Sequence, residues 1–246
     1  MNIFSPATID SLKTIAAQLS PQDCALCGSS SRKLVCRACE HGLPRAAVLA
    51  CPRCAIELNT GGSAETPCGA CLVELPHFDH TITAFRYDFP LDRLLQAYKF
   101  RAHLTFTKLL ADALAARIKA NRLLTQTPLP DLIMPTPLAA KRLAERGFNQ
   151  SALLGREVAR HFGIHFSASG LRRMRETRPQ TGLKRDERLK NVQDAFACVE
   201  NVAGKHIAIV DDVMTTGATL SEAAKVLKQN GAAYVEAWAC ARATHH

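Results

Sequence analysis

Aromatic side chains are scarce in this 246-residue chain, 6% of the total with one tryptophan. The scarcity around the basic segments argues against a surface that stacks single-stranded bases tightly. Long apolar runs are missing too, none approaching the roughly 20 residues that cross a bilayer. The first twenty residues lack the basic-then-apolar order of an export signal, so a cytoplasmic protein without membrane insertion is expected. Phe4, Ile9, Leu12, Ile15 and Leu19 suggest at most a short amphipathic helix. Large apolar residues are also few between positions 20 and 76, where a small core alone would not supply the folding energy.

What that segment has instead is cysteine. Eight of the ten cysteines form four C-x-x-C pairs, CALC, CRAC, CPRC and CGAC. Each pair can present two thiolates to one metal, and two pairs complete a tetrahedral four-cysteine site, so two structural zinc ions are implied. Gaps of eight residues between Cys27 and Cys36 and thirteen between Cys54 and Cys68 fit sequential ribbons. These would be Cys24, Cys27, Cys36 and Cys39, then Cys51, Cys54, Cys68 and Cys71; an interleaved pairing also satisfies the pattern. A disulfide framework belongs to secreted chains, and four regularly spaced dithiols exceed the needs of one redox reaction. Cys198 and Cys240 read as small buried hydrophobes.

The formal charge of +9 is unevenly placed. Residues 1–80 hold six Lys/Arg against seven Asp/Glu, whereas residues 141–190 hold thirteen against five. Such concentration points to a polyanion, either a pyrophosphate-bearing small molecule or a nucleic-acid backbone.

Beyond Pro76 the pattern changes to that of an α/β domain, so the expected division is 20–76 and 77–246. A β-rich run ends at Pro90, and helices follow over Leu91 to Arg101 and 105–124. Leu132 to Met134 reads as a short strand that Pro135 and Pro137 keep from continuing as helix. Lys141, Arg142 and Arg146 then lie in a polar turn. Asn149 caps a helix to Phe162, which Gly163 ends. Residues 171–195 read as a mobile, Arg-rich loop: Gln180, Thr181 and Gly182 as its hinge, and Arg178, Lys184 and Arg185 as counter-charges for a departing pyrophosphate. Nucleic-acid binding by this loop is the alternative, and it predicts weaker DNA binding when Arg172, Arg173 and Arg175 are neutralised. The closing AAYVEAWACAR reads as an alternating strand.

The densest signal is IAIVDDVMTTGAT, residues 207–219. Ile207 to Val210 forms a buried parallel strand. Asp211 and Asp212 sit where that strand is expected to end. Thr215, Thr216, Gly217, Ala218 and Thr219 then make a small, hydroxyl-rich turn before a helix, with Thr219 and Glu222 fitting a capping box. Unpaired N–H groups at a helix start can wrap a phosphate, while two carboxylates suit ribose hydroxyls or a hydrated divalent cation. A sugar phosphate satisfies both halves.

These residues resemble the 5-phosphoribosyl-1-pyrophosphate (PRPP) motif of type I phosphoribosyltransferases. With the four C-x-x-C pairs, YKFRAH, PTPLAAKRLAERGFNQ and TRPQTGLKRDERLKNVQDAF, the chain resembles the ComF/GntX family over nearly its whole length. The resemblance implies a double zinc ribbon followed by a mainly parallel α/β sheet of the type I phosphoribosyltransferase kind. It implies Asp211 and Asp212 as the catalytic pair against ribose and Mg2+, and Thr215 to Thr219 around the 5-phosphate. Lys141, Arg142 and Arg146 match the pyrophosphate loop. Two readings stay open: a phosphoribosyltransferase with an acceptor the sequence does not reveal, or a non-catalytic adaptor. In the second, the ribbons bind single-stranded DNA or DNA-uptake proteins and PRPP is a ligand or signal. Both fit a competence-related role.

Overall fold

The structure, a computed structural model, describes residues 22–58, 66–101, 104–175 and 192–243. The amphipathic N-terminal stretch lies outside these residues, as do Arg178, Gln180, Thr181, Gly182, Lys184 and Arg185. Two compact units divide between Leu43 and Pro44.

In the first unit, β1 (Gln22–Asp23) and β2 (Ser30–Ser31) pair antiparallel, and α1 (Arg37–His41) follows Cys36. Its buried apolar side chains, cysteine aside, are few: Val35 and Leu43 among the described residues.

The second unit is built on five parallel strands. In chain order these are β3 (His80–Arg86), β4 (Leu132–Pro135), β5 (His165–Phe166), β8 (His206–Met214) and β9 (Tyr234–Arg242), and in space they run β3-β9-β8-β4-β5. Between β3 and β4 come α3 (Leu91–Arg101) and α4 (Leu104–Thr125), the latter against an expected 105–124. Between β4 and β5 come α5 (Ala140–Arg146) and α6 (Gln150–Phe162), and α7 (Ala218–Gln229) joins β8 to β9. A short pair, β6 (Leu171–Arg173) with β7 (Phe196–Cys198), lies outside the main sheet. A further helix, α2 (Gly69–Val73), follows Cys68.

Helices α4 and α6 pack together on one face of the sheet. At Gly155 of α6, a Cβ would stand 3.0 Å from Phe166 and 3.5 Å from Val210, so glycine is what lets helix and sheet approach this closely. The other face carries α7 through Leu220, Ala223, Ala224 and Leu227.

Three expectations are corrected. β8 does not end at Val210 but continues to Met214, because nine-residue β9 offers a partner along its whole length, Asp211 opposite Ala239 and Met214 opposite Arg242. β9 does not alternate: every residue after Tyr234 is buried, since it lies between β3 and β8 with both faces covered. The segment with Lys141, Arg142 and Arg146 is a helix rather than a turn, stopped by Gly147 at φ 78°.

Candidate functional site

Strand order fixes where a ligand can enter. From β4 the chain moves outward to β5, and from β8 it moves the opposite way to β9, so the carboxyl ends of β4 and β8 flank a switch point. Of the residues singled out by sequence, Asp211, Asp212, Asn149 and Arg146 come together there from both sides.

From β8, Asp211 and Asp212 alternate across the strand, Asp212 only 5% exposed. From the β4 side, the start of α6 comes against them. Asn149 caps that helix as expected, its Oδ1 accepting the N–H groups of Ser151 and Ala152 at 3.0 and 3.3 Å. Its Nδ2 donates to the Thr136 carbonyl at 3.0 Å, tying the helix start to the end of β4. Ser151 Oγ then donates to Asp211 Oδ1 at 2.9 Å, and Gln150 Nε2 reaches Asp212 Oδ2 at 3.4 Å. Arg146 Nη1 donates to Gln150 Oε1 at 2.6 Å, extending the chain of contacts to a cation. Below, Tyr98 donates to the Gln150 carbonyl and accepts from Thr107. Gln150, which sequence reasoning used only as the end of a motif, and Ser151, which it did not single out, contact the two acids. Their signal was position, directly after a capping Asn on a helix facing the acids.

Burial and the neighbouring Asp212 carboxylate push Asp211 up to about 7, against which the Ser151 hydroxyl works. Asp211 therefore keeps its proton to higher pH than an ordinary carboxyl, and a nearby cation would favour its ionised form. Guanidinium groups supply positive field: burial and then Arg142 and Arg175 hold the Arg173 group down, with Asp211 opposing them. Arg146 is likewise lowered by burial and Arg142 and raised by Asp212. Arg173, which the nucleic-acid alternative placed on a mobile loop, is thus fixed on β6 within the field of the acids, its guanidinium over the Phe196 ring.

At the end of β8, residues 215–217 turn and α7 begins at Ala218. Thr219 and Glu222 do not form a capping box. Gly217, at φ 81°, is the N-cap, so Thr219 already lies in the first turn, and Glu222 instead accepts the Asp194 N–H at 2.9 Å. Gly217 offers no side-chain cap, and Thr216 Oγ1 accepts the Ala218 N–H at 3.3 Å; a helix start of this kind favours an anion.

The cysteines assemble sequentially. Cys24, Cys27, Cys36 and Cys39 form one group and Cys51, Cys54, Cys68 and Cys71 another, with the sulfurs of each within 4.8 Å of one another. A tetrahedral site with bonds of about 2.3 Å has S···S edges of about 3.8 Å. The observed Cys27–Cys36 and Cys54–Cys68 separations are 3.8 and 3.6 Å. N–H groups of Cys36 and Cys68 point at the sulfurs of Cys24 and Cys51. In the first group Cys24 is held low, at about 6, and Cys27 is lowered by Ser29; in the second Cys51 is held at about 4, while Cys39 and Cys71 are pushed up to about 12 by neighbouring sulfurs and by burial respectively. Each group of four sulfurs could hold a metal ion, and zinc fits the donor set. The first group lies in the first unit; the second belongs to the core of the second, beside Phe78, Met214 and Leu220.

Among the described residues no helix is long and apolar enough to cross a membrane. Residues 149–245 match the model of the phosphoribosyl transferase domain. The chain is 36% identical over 208 residues to the DNA utilization protein YhgH of Salmonella typhi, covering 85% of this chain and 90% of that one. It is 34% identical to the same-named protein of Escherichia coli K12 with the same coverage. It is also 33% identical to competence protein F of Haemophilus influenzae, over 72% of this chain and 78% of that one.

Proposed function

The chain belongs to the ComF/GntX family, and on that premise we propose that it binds PRPP with Mg2+ at the β4–β8 switch point, in the service of DNA uptake and utilisation. One observation carries the reading: Ser151 and Gln150 hold the two carboxylates from across the crevice, next to a helix start whose N-cap, Gly217, offers no side-chain cap. In this reading Asp211 and Asp212 take the ribose hydroxyls and Mg2+. The backbone and hydroxyls of Thr215, Thr216, Gly217, Ala218 and Thr219 take the 5-phosphate, and Lys141, Arg142 and Arg146 take the pyrophosphate. Arg178, Lys184 and Arg185, outside the described residues, keep the proposed role of counter-charges for a departing pyrophosphate. Bound Mg2+ would supply charge for a departing pyrophosphate, and zinc at the two four-cysteine groups would be structural.

Calorimetric titration of PRPP with Mg2+ into the wild type and an Asp211→Asn, Asp212→Asn variant tests the site. Binding by the wild type alone is the expected result; no binding to a folded, zinc-loaded wild type sinks the reading. Transfer to an acceptor is the enzymatic extension, and pyrophosphate release with some nucleobase, lost in Asp211→Asn, is its signature. The adaptor reading draws on the relatives' names, and it is tested by DNA affinity that falls steeply with salt.

A further inference from the structure

Arg242 ends β9 and is only 5% exposed, so its donors must find partners inside the protein. Nε donates to the Cys54 carbonyl at 2.7 Å. Nη1 donates to the carbonyls of Met214 at 3.3 Å, Ala243 at 2.6 Å, and Thr215. One side chain thus joins the CPRC turn of the second cysteine group to the backbone where the 215–219 loop leaves β8.

The segment six to seven residues past Cys71 reaches the other end of that loop and the start of α7. The His77 N–H and Nδ1 both lie 3.1 Å from Ser221 Oγ, in the first turn of α7. Phe78 is 1% exposed, and its ring lies 3.7 Å from where a Gly217 Cβ would stand. The CPRC turn is itself anchored at the start of β3, where Arg53 donates to the carbonyls of Asp79 and Pro76, and the Thr81 hydroxyl to the Arg53 carbonyl. Closing the second metal site therefore fixes both ends of the loop.

We propose that the second cysteine group is a positioning device for residues 215–219, with Arg242 as its strut, so that metal at Cys51, Cys54, Cys68 and Cys71 is coupled to ligand binding at the loop. The ligand half of the statement rests on the phosphate-binding reading above; the mechanical half does not. Coupling is reciprocal: opening the cysteine group loosens the loop, and a ligand on the loop slows metal loss. The first cysteine group has no part in it.

Hydrogen–deuterium exchange on the full-length, zinc-loaded chain reads the loop without any ligand. Arg242→Lys keeps the charge and all eight cysteines, but one ammonium cannot reproduce the fork that spans Cys54 and the loop carbonyls. Its expected effect is exchange about ten-fold faster over residues 213–219, with faster zinc transfer from the second site to a chromophoric chelator and unchanged transfer from the first. Cys51→Ser is expected to accelerate the same segment, and Cys27→Ser, in the first group, to leave it alone. In the wild type, exchange of 213–219 is expected to rise in step with second-site zinc as chelator removes it, a test that needs no variant to fold. Loop exchange that ignores second-site zinc overturns the proposal, as does equal acceleration by both cysteine variants. PRPP titration of the same preparations separates the premises. A wild type that binds no PRPP removes the phosphate reading and leaves the exchange result to stand or fall alone; PRPP bound about ten-fold more weakly by Arg242→Lys supports both.

Discussion

In the proposed reading Asp211 faces two opposed demands, a cation it would hold and a folded state it should not weaken. Its folded value near 7 lies above the ordinary 3.8, so between those values the folded protein keeps a proton that the unfolded chain has lost. Stability from this group is therefore present at low pH and declines as pH rises through the window. Ligand-free Asp211→Asn is expected to melt higher than wild type at pH 8 and equally at pH 4, read by thermal denaturation at the two pH values. PRPP and Mg2+ need the ionised pair, so their affinity for the wild type is expected to fall as pH drops below about 7.

Glu236 shows the opposite sign. Burial would raise it, but His206, Arg122 and Trp238 outweigh burial and hold it low. Arg122 and Trp238 each donate at 2.6 Å to a carboxylate with no exposed surface. Its stability is present above the ordinary carboxylate value and lost as pH falls through the depressed one. Glu236→Ala leaves Arg122 buried without its counter-ion, at an expected cost of about 3–5 kcal/mol in urea denaturation.

Among the elements, α6 carries the most consequence for the site. Its N-terminus is positioned by Asn149 alone among described side chains that both cap it and reach β4. Asn149→Ala is expected to cost about 1–2 kcal/mol of stability. It should also weaken PRPP binding without abolishing it, since Asp211 and Asp212 remain; calorimetry on the folded variant measures this. The cap, the helix it starts and the stop at Gly163 were legible in the sequence, because each depends on neighbours along the chain. The continuation of β8 through its acidic pair was not, because it depends on β9, more than twenty residues away. For the same reason Thr219 and Glu222 fit the spacing of a capping box without forming one: a left-handed Gly217 starts the helix first.

Across the whole molecule, the two four-cysteine groups differ in support. The first includes exposed Cys27 in a unit with little apolar core, and the second is packed into the core of the sheet unit. Zinc release to a chelator is expected to be biphasic, one equivalent leaving fast and one slowly. Cys27→Ser is expected to remove the fast phase while leaving the far-ultraviolet circular dichroism of the sheet unit largely intact.

The sequence by itself determined the chemistry this chain can offer: eight thiols in pairs, two adjacent acids, a glycine-bearing turn before a helix, and a basic middle. Those are local facts, set by residue type and spacing within a few positions. Only the tertiary structure decided which pairs come together and that the second group belongs to the sheet's core. It also decided that Gln150 and Ser151 hold the acids and that Arg242 links Cys54 to Thr215. The contacts of Ser151, Gln150 and Arg242 join residues dozens to nearly two hundred positions apart, and they arise from strand order and burial, which no short-range pattern encodes.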